Sequence, residues 1–175
     1  MLPTELRGPG KIISVESPDV FLAENRLRYP NLDPDFILQI CFEQPSRFDN
    51  LFPGFDARRH MARRTQQTAG WVYDNVRYDD NEDVDFWFDQ FDAHLSTGQS
   101  NSEIFDHMIE QGEWPFPPVI VEATFAATLG AKKKEDLGEP YHLIEGTHRV
   151  SYLRRMIQLG MVSRGKAVSV IKLTQ

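Results

Sequence analysis

Tyr141-His-Leu-Ile-Glu-Gly-Thr-His-Arg-Val-Ser-Tyr-Leu-Arg-Arg-Met-Ile157 is the stretch whose reading decides the fold. Its first four residues form a short apolar-rich run that reads as a strand. The run breaks at Gly146 and resumes with Val150, Leu153 and Ile157 at helical spacing. A strand that passes through glycine straight into a helix aims the first free backbone N–H groups at whatever lies beyond the strand end. Those donors and the positive end of the helix dipole favour an anion. Thr147, His148 and Arg149 add a hydroxyl, an imidazole and a guanidinium at the same turn.

Working outward, Val119-Ile120-Val121 follows Trp114-Pro-Phe-Pro-Pro118 and reads as a buried strand, and Ala167–Leu173 closes the chain as another. Gly160 ends the helix that starts at the turn. Thr124–Gly138 is ambiguous, helix-friendly at Ala126–Leu129 and charged at Lys132–Asp136. Towards the N-terminus, Lys11–Val15 reads as a strand. Ser17-Pro18-Asp19 and Asp33-Pro34-Asp35 each carry a cap followed by proline at the first helical position. The second leads into Phe36, Ile37, Ile40 and Cys41, a short buried helix face.

Gln44–Gly54, with Pro45, Pro53 and Gly54, reads as loop. Asp56 is expected to cap a helix through Met61 and Ala62, exposing Arg58, Arg59, Arg63 and Arg64. Phe88, Phe91 and Leu95 are expected to share one face of an amphipathic helix, and Ser96–Asn101 to form a polar loop. Asn101 or Ser102 then caps a helix through Ile104, Phe105, Met108 and Ile109 that stops at Gly112.

Composition bounds the function classes. The chain has 175 residues, 41% hydrophobic and 26% charged, as in an ordinary globular protein with a substantial core. A formal charge of -7, from 19 basic and 26 acidic residues, argues against a protein that holds extended nucleic acid by bulk charge. Cys41 is the only cysteine, so neither an internal disulfide nor a thiolate metal cluster is expected. His94, His107 and His142 lack ligand-like spacing, and no zinc site is expected. No apolar run approaches membrane-spanning length and the N-terminus carries no signal-like segment, so the expected location is cytoplasmic.

Phe116-Pro-Pro-Val-Ile-Val121 together with Glu145-Gly-Thr-His-Arg-Val150 resembles the ParB-like / sulfiredoxin-like superfamily. Its members carry a Pro-Pro-hydrophobic strand, then a strand ending in Asp or Glu-Gly with His and Arg opening a helix. The likeness covers the C-terminal third; Asn25-Arg26 is the counterpart of an Asn-Pro-Arg-like loop but lacks the proline. It implies a mixed α/β fold with a small mixed sheet, in which 1–32 and 114–175 form the core of a single domain and 33–113 a helical insertion or subdomain.

The resemblance further implies binding of a nucleotide or other phosphate ligand at Gly146, Thr147, His148 and Arg149. Branches of the superfamily bind or hydrolyse nucleoside triphosphates, transfer phosphate, or cleave DNA, so the implied enzyme would be a phosphotransferase, an NTPase or a nuclease. Sulfiredoxin chemistry is not implied, because Thr147 stands where that branch has its cysteine.

From the residue types, Arg149 can hold two phosphate oxygens. His148 can donate or move a proton. Glu145 can act as base or hold a Mg²⁺ shared with a nucleotide, its bland alternative being an ion pair. Glu122 would join them if its strand end converges on the same place. Arg154 and Arg155 read as surface residues.

A second reading remains open. Asp74, Asp79, Asp80, Glu82, Asp83, Asp85, Asp89 and Asp92 are interleaved with Tyr73, Tyr78, Phe86, Trp87, Phe88 and Phe91. An acidic-aromatic face over 74–92 suits a non-catalytic interaction protein, of immunity or inhibitor type, docking a basic protein partner.

Overall fold

The computed structural model describes residues 1–9, 17–78, 81–98, 100, 102–131 and 137–175, and the side chains of 81–83 are also left aside. The strand expected at Lys11–Val15, the acids Asp79, Asp80, Glu82 and Asp83, and the charged piece Lys132–Asp136 therefore lie outside the described side chains.

The architecture is mixed α/β. After a single 3-10 turn at Thr4–Leu6 come α1 (Pro18–Arg28), α2 (Pro34–Phe36) and a wider π-type segment, Ile37–Phe42, continuous with α2. Then follow α3 (Pro45–Leu51), β1 (Met61–Thr68), α4 (Ala69–Asn75), β2 (Val76–Arg77), α5 (Asn81–Thr97) and α6 (Glu103–Gln111). The C-terminal third supplies β3 (Val119–Glu122), α7 (Ala123–Thr128), β4 (Tyr141–Glu145), α8 (Thr147–Gln158) and β5 (Ala167–Thr174).

The sheet runs β1-β5-β3-β4-β2. β3 pairs antiparallel with β4 and parallel with β5, whereas β1 is antiparallel to β5 and β2 parallel to β4. Because side chains alternate across a strand, the three central strands divide between two cores. Val119, Val121, Ile144, Ile171 and Leu173 face the N-terminal helices and their phenylalanines, Phe36, Phe48, Phe52 and Phe55. Ile120, Leu143, Val168 and Val170 face the other way, onto α4, α5, α6 and α8 through Val72, Phe91, Met108, Val150, Leu153 and Met156. The sheet is thus covered on both faces, and β4 ends where the two helical layers meet at its rim.

Several expectations need correction. Gln44–Gly54 contains α3 in place of a continuous loop: Pro45 occupies the first helical position, where no N–H is needed, and Phe48 N–H bonds Gln44 O. Burial of Phe48 at 1% exposure anchors that short helix. The arginine-rich helix is instead edge strand β1, preceded by a turn. Its eight residues pair with β5 from Met61↔Thr174 to Thr68↔Ala167, so tertiary pairing overrides the local pattern. Arg64 leaves the sheet edge to pair with Asp33 and Asp35.

Residues 33–113 are therefore not helical throughout, because they supply both edge strands of the sheet. The expected loop at Ser96–Asn101 starts later, since α5 continues to Thr97 and Gly98 turns the chain. Leu95 is 44% exposed and does not share the buried face of Phe91. Asn25 sits inside α1, where its amide donates to Phe21 O, so Asn25-Arg26 is helix and not loop. Ser102 is the cap of α6, accepting from Phe105 N–H, and Gly112 ends that helix with φ +68°.

Candidate functional site

Gly146 makes the turn between β4 and α8. Its φ of +108° lies in a region L-residues rarely adopt, and a Cβ there would meet Pro118 Cβ at 2.8 Å and Arg149 Nη2 at 3.1 Å. The sharp entry brings the start of α8 against the Pro117-Pro118 approach to β3. The first intrahelical bond runs from Val150 N–H to Gly146 O at 2.9 Å, so the amides of Thr147, His148 and Arg149 precede the helical ladder. The residues that carry them line a cavity of about 570 Å³. Its walls come from five parts of the chain. The turn gives Glu145, Gly146, Thr147, His148 and Arg149, and the π-type segment with α3 gives Gln39, Glu43, Gln44 and Arg47. Trp87 of α5, Ile104 of α6 and Phe116 form the apolar side.

A continuous chain of polar contacts crosses this cavity. Arg149 Nη1 donates to Phe116 O at 2.8 Å, and Nη2 donates to Gln39 Oε1 at 2.7 Å and reaches Glu145 Oε1 at 3.5 Å. Gln39 Nε2 in turn donates to Pro117 O at 3.1 Å. On the other side Gln44 Nε2 donates to Glu145 Oε2 at 2.7 Å, and Arg47 Nη1 donates to Gln44 Oε1 at 3.1 Å. Desolvation lowers the pKa of Arg149, opposed by the charges of Glu145, Glu43 and Asp35, and the guanidinium stays protonated. The site therefore contains a buried cation whose fork is already held by protein acceptors.

His148 has a different setting from the one its position suggested. Its ring stacks on Trp87 with centroids 3.9 Å apart and an 18° interplanar angle, and meets Tyr152 edge-on at 4.2 Å. Nε2 is buried with no hydrogen-bond partner among the described residues. Burial, then the charges of Arg149 and His94, push its pKa from 6.5 down to about 4. The imidazole is thereby held in its neutral form near pH 7, with one ring nitrogen as donor and the other as acceptor.

A pH effect on stability follows. The unfolded chain binds the proton more readily than the folded one between about 6.5 and about 4. The stability held by neutral His148 is thus fully present above the upper value and is lost as pH falls towards the lower. Urea unfolding at neutral pH and at about pH 5 checks it. The wild type is expected to lose more stability on acidification than His148→Phe; equal losses would contradict this assignment.

Other candidates fall elsewhere. Glu122 lies opposite Tyr141, at the far end of the antiparallel β3–β4 pair from Glu145, and accepts from Thr124 Oγ1. It cannot converge on the cavity. Arg154 is not a free surface cation: it donates to Tyr73 O and Val76 O and lies 4.9 Å from the Tyr78 ring centroid. Arg155 pairs with Asp92 at 2.6 Å and Arg164 with Asp74 at 2.5 Å, so two acids of the acidic-aromatic stretch are engaged within the chain.

Gln39, Glu43, Gln44, Arg47 and Trp87 were missed from sequence. The one available signal was Gln39, a single amide inside the apolar run Phe36–Phe42 that the wider π-type segment turns into the site.

Among the described residues no group of three or more His, Cys, Asp or Glu is placed to hold a metal ion. Glu43 and Glu145 are the carboxylates lining the cavity. That donor set fits a Mg²⁺ carried in with ligand phosphates and not a metal held by the protein alone. Among the described residues no helix is long and apolar enough to cross a membrane. Comparison of the chain with protein-family models, curated proteins and solved structures finds no match.

Proposed function

We propose that the protein binds a nucleotide or another small phosphate ligand in the cavity at the start of α8. The observation that carries the reading is the juxtaposition of the residues with unladdered helix amides and a mainly polar cavity of about 570 Å³ that has one apolar side. A phosphate accepts from amides at a helix N-terminus. Trp87, Ile104 and Phe116 offer the apolar wall that an attached ring system needs. The likeness of Glu145–Val150 to the ParB-like turn supports the same ligand class.

Within this reading Thr147 and the turn amides hold the phosphate, and Arg149 fixes the turn and adds positive potential from beneath. Glu145 is the group suited to act as base or to reach a ligand-borne Mg²⁺, in a phosphoryl transfer or phosphodiester cleavage. His148 contributes its ring and, as a neutral imidazole, one donor or acceptor nitrogen. The small cavity in an acidic chain favours a compact ligand over an extended nucleic acid.

The test is a thermal-shift screen of nucleoside triphosphates and inorganic tripolyphosphate, with and without Mg²⁺. Binding to the folded state alone raises the midpoint. A rise with at least one of these probes is expected, and no rise with any would overturn the reading.

One observation favours a second reading, a docking face for a basic protein. Phe86 on α5 is 53% exposed and stands beside exposed Asp85 and near exposed Asp89. Binding of a basic partner that survives filling of the cavity would support it.

A further inference from the structure

We infer that Arg47, and not Arg149, is the cation that pairs directly with the ligand's phosphate; this rests on the phosphate reading above. The two arginines line the same cavity in opposite states. Arg149 has a side chain 7% exposed, and both its terminal nitrogens are engaged, by Phe116 O, Gln39 and Glu145. Turning that fork to a ligand would strip a half-buried carbonyl and a buried amide of their donor.

Arg47 projects from the first turn of α3 with a side chain 61% exposed. Its recorded partners are Gln44 Oε1 at 3.1 Å and, at 4.0 Å, Glu145 Oε2. That carboxylate oxygen already accepts from Gln44 Nε2 at 2.7 Å, and its twin faces Arg149. When Arg47 leaves, Glu145 keeps Gln44 and Arg149, and among the described residues only the exposed contact to Gln44 Oε1 is given up.

The charge in the cavity points the same way. Glu43 and Glu145 offset Arg47 and Arg149, and His148 is neutral, so the described lining residues hold no surplus positive charge for an anion. A phosphate carrying two or more charges therefore needs a cation that can move from Glu145 onto it, with its planar fork free for two phosphate oxygens. Arg47 is the residue placed to do so.

Calorimetric titration with ATP, CTP and inorganic tripolyphosphate tests this in the wild type, Arg47→Ala and Arg47→Lys. Arg47→Ala is expected to weaken binding by about tenfold or more and to make it less salt-dependent, with the unliganded melting midpoint unchanged. Arg47→Lys should recover part of the affinity. Wild-type affinity in Arg47→Ala overturns the inference and leaves the phosphate reading standing. A fall in the unliganded midpoint as large as the loss of affinity also overturns it, since Arg47 would then be structural. Binding of no probe by the wild type removes both.

Discussion

Arg149→Ala is expected to lower the unfolding free energy by about 2–4 kcal/mol, from the loss of two hydrogen bonds donated by a charged group. The residue is 5% exposed and joins the π-type segment, the approach to β3 and the end of β4. Its truncation leaves Phe116 O and Gln39 Oε1 without their donor and empties the space between the π-type segment and the turn. Glu145 suffers less, because Gln44 still donates to it. Urea unfolding of the variant measures the effect, and a change within about 1 kcal/mol would show that the tether is not needed. Loss of ligand binding in Arg149→Ala would therefore not identify a ligand contact. Arg47→Ala is the informative comparison, because its side chain is mostly in solvent.

Gly146→Ala is the second large effect, at about 2–4 kcal/mol, combining left-handed backbone strain with overpacking. The Cβ would sit 2.8 Å from Pro118 Cβ, part of the segment leading into β3, which cannot swing aside as a flexible side chain could. It would also press on Arg149 Nη2 at 3.1 Å, so the damage reaches the tether just described. By contrast, Gly160, also at positive φ, meets nothing within 4 Å. Gly160→Ala carries only the backbone term, about 1 kcal/mol or somewhat more, and serves as the control for Gly146→Ala in the same unfolding measurement. Equal losses at the two positions would contradict the steric part of the argument.

What could be read in the sequence were features whose causes are local. Tyr141–Ile144, Gly146 and the spacing of Val150, Leu153 and Ile157 specify strand, turn and helix within one stretch, and the structure has β4, the left-handed Gly146 and α8 there. The Pro-Pro strand and the Ser102 cap were legible for the same reason.

What could not be read depends on distant partners. Gln44 meets Glu145 across 101 residues and Gln39 meets Arg149 across 110. Nothing in the neighbourhood of either glutamine announces the carboxylate or guanidinium it will touch. β1 misled for a related reason: in an edge strand with only Ala62 fully buried, period-two alternation is faint and adjacent arginines mimic a solvated helix face. His148 was legible as a member of the turn but not as a neutral ring, because Trp87, its stacking partner, arrives from α5.

The proposed phosphate sits on the amides that open α8. The direct measurement is a titration of the nitrogen-labelled chain with ATP, CTP and inorganic tripolyphosphate, with and without Mg²⁺, followed by backbone amide shifts in solution. The amides of Thr147, His148 and Arg149 are expected to move first and furthest, together with the Trp87 indole that lines the same cavity. Saturable shifts confined to another part of the chain, or no shifts with any of the three probes, would contradict it.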